Sequence, residues 1–370
     1  MRSFEEEFAE IKQLCESDES NREIERTRRL LSNKPLVLYG AGAVGVEIAG
    51  VFKHYGLNVI CFCDTHKTGV QRETGLTIIA PQTLKQKYFD AVIIISSIYF
   101  VEEIKTNLDA LGILAERIIA DVFFNLHKLS PKDLEPHFAG YARSYDLFQD
   151  DQSKQILLER IKCYLTPSPI IAPYVSSVVS PLCDQYFDAD IVRLSSSEVF
   201  VDGGMYIGDT ADQFLKRASG RYRHYYGFEP DKANYSAAVE YLAGKRDVTT
   251  IEKGLWNHET SLPFSASLGS SSALGDSGSD LISVTALDTY FSDKPPPTFI
   301  KMDIEGAELM ALKGAENIIR SHKPKLAISA YHKPEDVYTL PMLIRSYRND
   351  YKFYLRHYTN SLNETVLYAV

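Results

Sequence analysis

The 370-residue chain has no run of about 18 consecutive apolar residues, so no membrane-crossing helix is expected. It has no basic excess either: 40 Lys and Arg stand against 49 Asp and Glu, a net charge of -9. A nucleic-acid surface needs a face of phosphate-neutralising cations, so nucleic acid is not an expected partner. Cysteine is sparse. Cys15, Cys61, Cys63, Cys163 and Cys183 are odd in number and scattered, which excludes a disulfide framework as the organising principle. Cys61 and Cys63 lie two apart in an apparent strand and share a face, which reads as paired burial. The opening MRSFEEEFAEIKQL is too acidic and too interrupted for a signal peptide, and a reducing cytoplasm is the expected location.

What remains is ordinary globular material, 45% hydrophobic and 24% charged, long enough for two domains. Residues 1–34 read as an amphipathic N-terminal helix with Phe4, Phe8, Ile11 and Leu14 at helical spacing. Its apolar face is expected to pack on a neighbour or on a second subunit of a homodimer. Residues 35–125 alternate strand and helix signals: strands at 36–39, 59–63 and 91–97, helices running towards His54 and over 101–111. This is a βαβ unit with a parallel sheet. Gly40, Gly42 and Gly45 complete a G-x-G-x-x-G between the first strand and its helix, and Asp64 ends the second strand. In that context the glycines let backbone approach a pyrophosphate and the acid takes ribose hydroxyls. The unit resembles the small Rossmann-like modules found beside bacterial sugar-modifying enzymes. Two readings stay open: a nucleotide site, or a Rossmann-shaped scaffold or dimer contact that binds none.

Residues 126–190, with helical patches and Pro167, Pro169 and Pro173, read as a connector and cap. From residue 191 to 370 the alternation restarts. Strands are expected at 199–201, 225–228, 299–302 and 326–330, and residues 353–357 and 365–370 form a closing antiparallel hairpin. The expected fold class is therefore α/β, with two doubly wound Rossmann-like domains.

VFVDGGMYIGDT (residues 199–210) carries a second glycine loop that differs from the first at one decisive position. Asp202 stands directly before Gly203 and Gly204 and would repel a pyrophosphate. S-adenosylmethionine carries an ammonium, a carboxylate and a sulfonium, and no phosphate. Asp202 can attract its cationic amino-acid end, directly or through water. Gly203, Gly204 and Gly208 allow close backbone approach, and the helix start at Asp209 and Thr210 can receive the carboxylate. Glu229 ends the next strand, where a carboxylate can accept from both ribose hydroxyls. Leu255 and Trp256 are candidates to flank the adenine; the competing reading of Trp256 is a core residue.

At this point the chain resembles the FkbM family of methyltransferases. The resemblance rests on EVFVDGGMYIGDT (residues 198–210), YGFEPD (226–231), EKGLWNHETSLPF (252–264), SVTALDTYF (283–291), FIKMDIEGAELMALKGA (299–315) and AYH (330–332). It covers residues 186–370, and KMDIEGAE is its most specific block. It implies a class I methyltransferase fold and methyl transfer from S-adenosylmethionine to oxygen, typically a hydroxyl of a sugar or related natural product. Met205 is bulkier than the Ala or Ser common in the family's first motif, and the N-terminal module lies outside the family core. A second class of function stays in view: an oxidoreductase or sensor binding NAD(P) or a nucleotide sugar through GAGAVG.

Ligands of open α/β sheets sit beyond the carboxyl ends of the strands, where Asp303, Glu305 and His332 fall. Alternation puts Lys301 on the same side as Asp303. These four are the catalytic candidates. His332 can serve as base because its ordinary pKa is near neutrality; Asp303 is the rival, as base or as orienter of His332. Asp303, Glu305 and His332 can instead hold Mg2+. Glu308 falls in the first turn of the following helix, where the dipole favours a carboxylate. Residues 268–280 read as a surface loop or an acceptor lid, and Tyr186 as lining the site from above.

Overall fold

The computed structural model describes residues 2–16, 31, 34–54, 56–97, 100–119, 131–165, 175–265, 273–274, 280–359 and 362–370. The chain divides into two compact units. The first comprises residues 1–136, 158–179 and 359–362, and the second 137–157, 180–358 and 363–370. No helix among the described residues is long and apolar enough to cross a membrane. The acceptor-lid candidate and the three prolines of the connector lie largely outside the described residues.

In the first unit six strands form one sheet: β1 (Leu36–Tyr39), β2 (Val59–Cys63), β3 (Gly69–Val70), β4 (Thr77–Ile79), β5 (Val92–Ile95) and β6 (Ile118–Ile119), in the order β3-β4-β2-β1-β5-β6. The central β1 pairs in parallel with both β2 and β5, and both β1 and β5 are buried along their whole length. That two-sided burial is why these strands read as unbroken apolar runs. Leu38, Ile48, Phe52, Phe62 and Ile94 fill one face, and Val37, Tyr39, Cys61, Cys63 and Ile93 the other. The N-terminal helix Phe4–Glu16 buries Phe4, Phe8 and Ile11; the side chain of Leu14 lies outside the described residues.

In the second unit the strands are β7 (Val199–Gly203), β8 (His224–Phe228), β9 (Val248–Ile251), β10 (Gly254–Leu255), β11 (Thr260–Ser265), β12 (Ala273–Leu274), β13 (Asp280–Thr285), β14 (Phe299–Met302), β15 (Lys325–Ser329), β16 (Phe353–His357) and β17 (Thr365–Ala369). Seven of them make a sheet in the order β16-β17-β15-β14-β7-β8-β9. β14 pairs in parallel with β7 and β15, whereas β17 runs antiparallel to both β15 and β16. The closing hairpin is thus present, with the last strand inserted inside it. The register of β14 on β7 places Lys301 opposite Asp202, and Met302 opposite Gly203. Phe187, Phe200, Phe214, Tyr225 and Phe299 pack into one aromatic core, with Phe200 and Phe214 ring centres 4.6 Å apart. A four-stranded sheet, β10-β13-β11-β12, is additional to the expected elements.

Candidate active site

The strand ends β7, β8, β14 and β15 gather the polar residues of the second unit. Asp202 is 0% exposed. Its Oδ1 lies 2.9 Å from the Lys301 ammonium, and its Oδ2 accepts a hydrogen bond from the Tyr225 hydroxyl at 2.8 Å. Lys301 Nζ also donates to the Gly204 carbonyl at 2.8 Å and reaches the Gly203 carbonyl at 3.3 Å. The ammonium sits 5.1 Å from the Tyr186 ring centre. Burial alone would lower the Lys301 pKa, but Asp202 and Asp303 raise it above the ordinary lysine value. Asp202 and Lys301 are therefore an internal ion pair that grips the carbonyls of the glycine loop.

The loop's glycines are demanded by the chain itself. Gly204 has φ +74°, and a Cβ there would stand 1.9 Å from the Asp303 carbonyl oxygen. A Cβ on Gly203 would stand 2.7 Å from Leu255 Cδ1, so Leu255 packs onto the loop. Trp256 instead packs with Leu262, Ile282 and Val284 of the four-stranded sheet. Gly208, at φ 95°, is the N-cap of helix Asp209–Ala218 and supplies no side-chain cap. The first-turn amides are left for water or a ligand. Asp209 is exposed and Thr210 buried.

Glu229 lies just beyond β8 and is buried. Its Oε2 accepts from Tyr206 N at 3.0 Å and its Oε1 from Asp231 N at 2.9 Å. Each oxygen keeps a further lone-pair direction, as a pair of ribose hydroxyls requires. Burial outweighs these amides and pushes the carboxyl from the usual 4.5 up to about 7.

Asp303 ends β14. Its Oδ2 accepts from the Tyr186 hydroxyl at 2.7 Å and its Oδ1 from the Tyr331 hydroxyl at 3.1 Å. Burial opposes ionisation, but Lys301 and His332, with the two phenols, hold its pKa below the usual value. Glu305 follows with φ 55° and Gly306 with φ 90°, a strained left-handed pair. Tyr186 and Tyr206 are also at positive φ, 65° and 50°. His332 Nε2 lies 3.4 Å from Glu305 Oε2 and 3.6 Å from Asp303 Oδ1, and its Nδ1 lies 3.2 Å from Glu308 Oε1. Burial would lower the imidazole pKa, yet Glu308, Glu305 and Asp303 push it up to about 11. Burial raises the pKa of Glu305 above its usual value.

The structure thus brings Asp202, Lys301, Asp303, Glu305 and His332 into one cluster at the strand ends, with Gly203, Gly204 and Leu255 beside it. Tyr225, Tyr331 and Glu308 belong to it by contact and were not among the expected site residues. The N-terminal dipole correctly flags Glu308 as a favoured carboxylate but not as a partner of His332. In the first unit, Asp64 turns back onto its own loops. Its Oδ2 accepts from Ala41 N at 3.0 Å, and its Oδ1 from His66 N at 2.9 Å and Lys67 N at 3.0 Å. A Cβ on Gly45 would stand 2.0 Å from the Gly40 carbonyl, whereas Gly42 has no heavy atom within 4 Å of that position.

Acids gathered at the carboxyl ends of a parallel sheet closed by an antiparallel hairpin form the architecture of an S-adenosylmethionine-dependent methyltransferase. Residues 202–353 match the Methyltransferase FkbM domain, and residues 32–119 match the C2185-like N-terminal domain. The C-terminal part of the chain is an FkbM methyltransferase domain. The crystal structure of Methyltransferase FkbM from Methylobacillus flagellatus KT is similar over 99% of this chain and 99% of its own, with 26% identity and a TM-score of 0.66. Weaker partial likenesses include Aeropyrum pernix fibrillarin, solved with natively bound S-adenosyl-L-methionine, at 12% identity over 49% of this chain and 70% of that one with a TM-score of 0.32. A putative rRNA-methylase from Clostridium thermocellum is 11% identical over 52% of this chain and 95% of its own, with a TM-score of 0.34. Among curated proteins, none matches the chain.

Proposed function

We propose that this methyltransferase transfers a methyl group to a hydroxyl oxygen of a sugar or related small metabolite. The carrying observation is Asp303: a carboxylate held ionised by two phenols and Lys301, on the strand end that Gly204 touches. When bound, S-adenosylmethionine supplies a methyl on a sulfonium sulfur that departs as a neutral thioether. The donor set fits that group. Glu229 has free lone pairs for the ribose diol, and the uncapped amides above Gly208 suit the carboxylate. Asp209 and Thr210 open that helix, and Leu255, packed onto the loop, is assigned to the adenine side, whereas Trp256 packs into the four-stranded sheet. Asp202 is assigned to holding the loop through Lys301 rather than to the cofactor ammonium.

Methyl transfer to an alcohol needs the acceptor placed in line and its proton removed as transfer occurs. Asp303 orients the acceptor hydroxyl by accepting its hydrogen bond. Glu305, partly exposed and with its proton affinity raised by burial, takes the proton. A protonated His332 has no lone pair to offer as base, and instead steadies both carboxylates. In the N-terminal domain a nucleotide site at Gly40, Gly42, Gly45 and Asp64 is retained on the open space at Gly42.

Calorimetry with S-adenosylhomocysteine tests the cofactor half: wild type binds, and Glu229→Ala loses most of its affinity. Isotope-labelled cofactor incubated with sugar-containing metabolite extracts tests the acceptor half by mass spectrometry. A labelled product methylated on nitrogen or carbon, with none on oxygen, would sink the hydroxyl reading.

A further inference from the structure

We propose that the pocket at His332 is a binding site for one divalent transition-metal ion, with Asp303, Glu308 and His332 as ligands and Glu305 at its rim. One ligand atom from each of the three lies within 4.8 Å of the others. An imidazole offers one ion one nitrogen: His332 Nδ1 lies 3.2 Å from Glu308 Oε1, which also accepts from Ile304 N at 2.8 Å, while Nε2 across the ring faces Glu305 Oε2 at 3.4 Å and is left to donate to it. Ligands bound at about 2.0–2.2 Å to one ion stand about 3–3.5 Å apart when adjacent, so the Nδ1–Glu308 gap has that spacing and Asp303 must draw in from its wider one as the ion binds.

A second observation points to a ligand rather than to a mere acidic cluster. Glu308 is 0% exposed, and its Oε2 has no hydrogen-bond partner among the described residues. The His332 side chain is only 10% exposed, and its ring nitrogens face Glu308 at 3.2 Å and Glu305 at 3.4 Å without the alignment of a well-formed hydrogen bond. Buried polar atoms of native proteins are normally satisfied, and those that are not call for a specific cause. Three carboxylates facing one imidazole are short of positive charge. A proton on His332 supplies one unit; a divalent ion supplies two and takes the ring lone pair in the proton's place.

Donor type selects the ion. One imidazole nitrogen with carboxylate oxygens suits Mn2+, Fe2+ or Zn2+, whereas Mg2+ and Ca2+ favour all-oxygen shells. This revises the Mg2+ expectation both in the ion and in the ligand set, with interior Glu308 replacing Glu305. The three ligands lie just past β14, at the start of the helix after it and just past β15, so the ion would sit beside the strand ends. That an acceptor oxygen occupies one of its coordination positions rests on the proposed hydroxyl transfer; the ion site itself does not.

The test uses the full chain after chelator treatment, titrated with Mn2+ by the loss of the free-ion paramagnetic resonance signal and with Zn2+ by calorimetry. The expected result is one ion per chain, with Mg2+ at least tenfold weaker. His332→Asn and Glu308→Gln should each weaken the ion at least tenfold, with folding of each checked by retained S-adenosylhomocysteine binding at the Glu229 site. Asp303→Asn provides a third reading if burial makes Glu308→Gln unstable. Wild type that binds S-adenosylhomocysteine but neither ion overturns the metal site and leaves the methyltransferase reading standing. Wild type that binds an ion but no S-adenosylhomocysteine does the reverse. Ion binding unchanged in folded His332→Asn also overturns the proposal.

Discussion

The two glycine loops solve the same geometric problem with acids in different surroundings. In each unit an acid just past the second strand accepts an amide from the loop after the first: Asp64 from Ala41 N, Glu229 from Tyr206 N. Asp64 takes three amides in all, and despite burial they hold its pKa below the ordinary value. Glu229 takes two and is buried enough to be pushed up to about 7. The first loop is tight on itself, Gly45 against the Gly40 carbonyl, and on the end of the neighbouring β5, Gly40 against Ser96. The second is tight against another strand end, Gly204 against the Asp303 carbonyl. A loop seated on the neighbouring strand end ties the cofactor side of a cleft to its reacting side.

The largest break in that contrast is expected from Lys301→Met. It strands Asp202 as an uncompensated buried charge, and the loss should be about 3–5 kcal/mol in denaturant unfolding. Adding Asp202→Asn should recover part of it; no recovery would mean the pair is not the cause. Next comes Gly204→Ala, with a backbone carbonyl where the methyl must go. About 2–3 kcal/mol of stability and much of the S-adenosylhomocysteine affinity should be lost. Gly42→Ala, by contrast, should shift unfolding by less than about 1 kcal/mol. Equal effects of the two substitutions would erase the distinction between the loops.

Glu229→Gln keeps the shape but weakens the charge-assisted bonds to ribose, which should cost about 1.5–3 kcal/mol in calorimetry. Asp64→Asn should leave that affinity unchanged. The smallest effect concerns pH. Glu229 is raised from the usual 4.5 to about 7, so its contribution to stability is present below 4.5 and lost as pH rises through 7. Ribose binding needs the carboxylate, so the sign reverses for ligand: affinity for S-adenosylhomocysteine should rise roughly tenfold between about pH 6 and pH 8. A flat profile would show that Glu229 is already ionised or is not in the site.

Strand-end acids were legible in the sequence because the parallel alternation fixes where strands stop. Asp64, Glu229 and Asp303 fall where a left-to-right reading puts them. Their partners were not legible. Lys301 meets Asp202 only because β14 lies beside β7, a neighbour relation across about a hundred residues that periodicity cannot encode. Tyr186 reaches Asp303 over 117 positions, from a left-handed backbone that a tyrosine seldom adopts. Glu308 looked like a dipole-favoured helix start, and its contact with His332 depends on how that turn meets the end of β15. The four-stranded sheet escaped notice because TSLPFS is short and carries a proline, a poor strand signal.

The inserted position of β17 bears on how the protein can be handled. A fragment trimmed to residues 202–353 would stop at the first residue of β16, without β17 and without Tyr186. β15 would then present the bare apolar edge Leu326-Ala327-Ile328, a template for aggregation. Insoluble material from such a fragment would reflect a cut through the sheet rather than an unstable enzyme. Any shortened form for crystallisation or screening should begin ahead of Tyr186 and retain Val370.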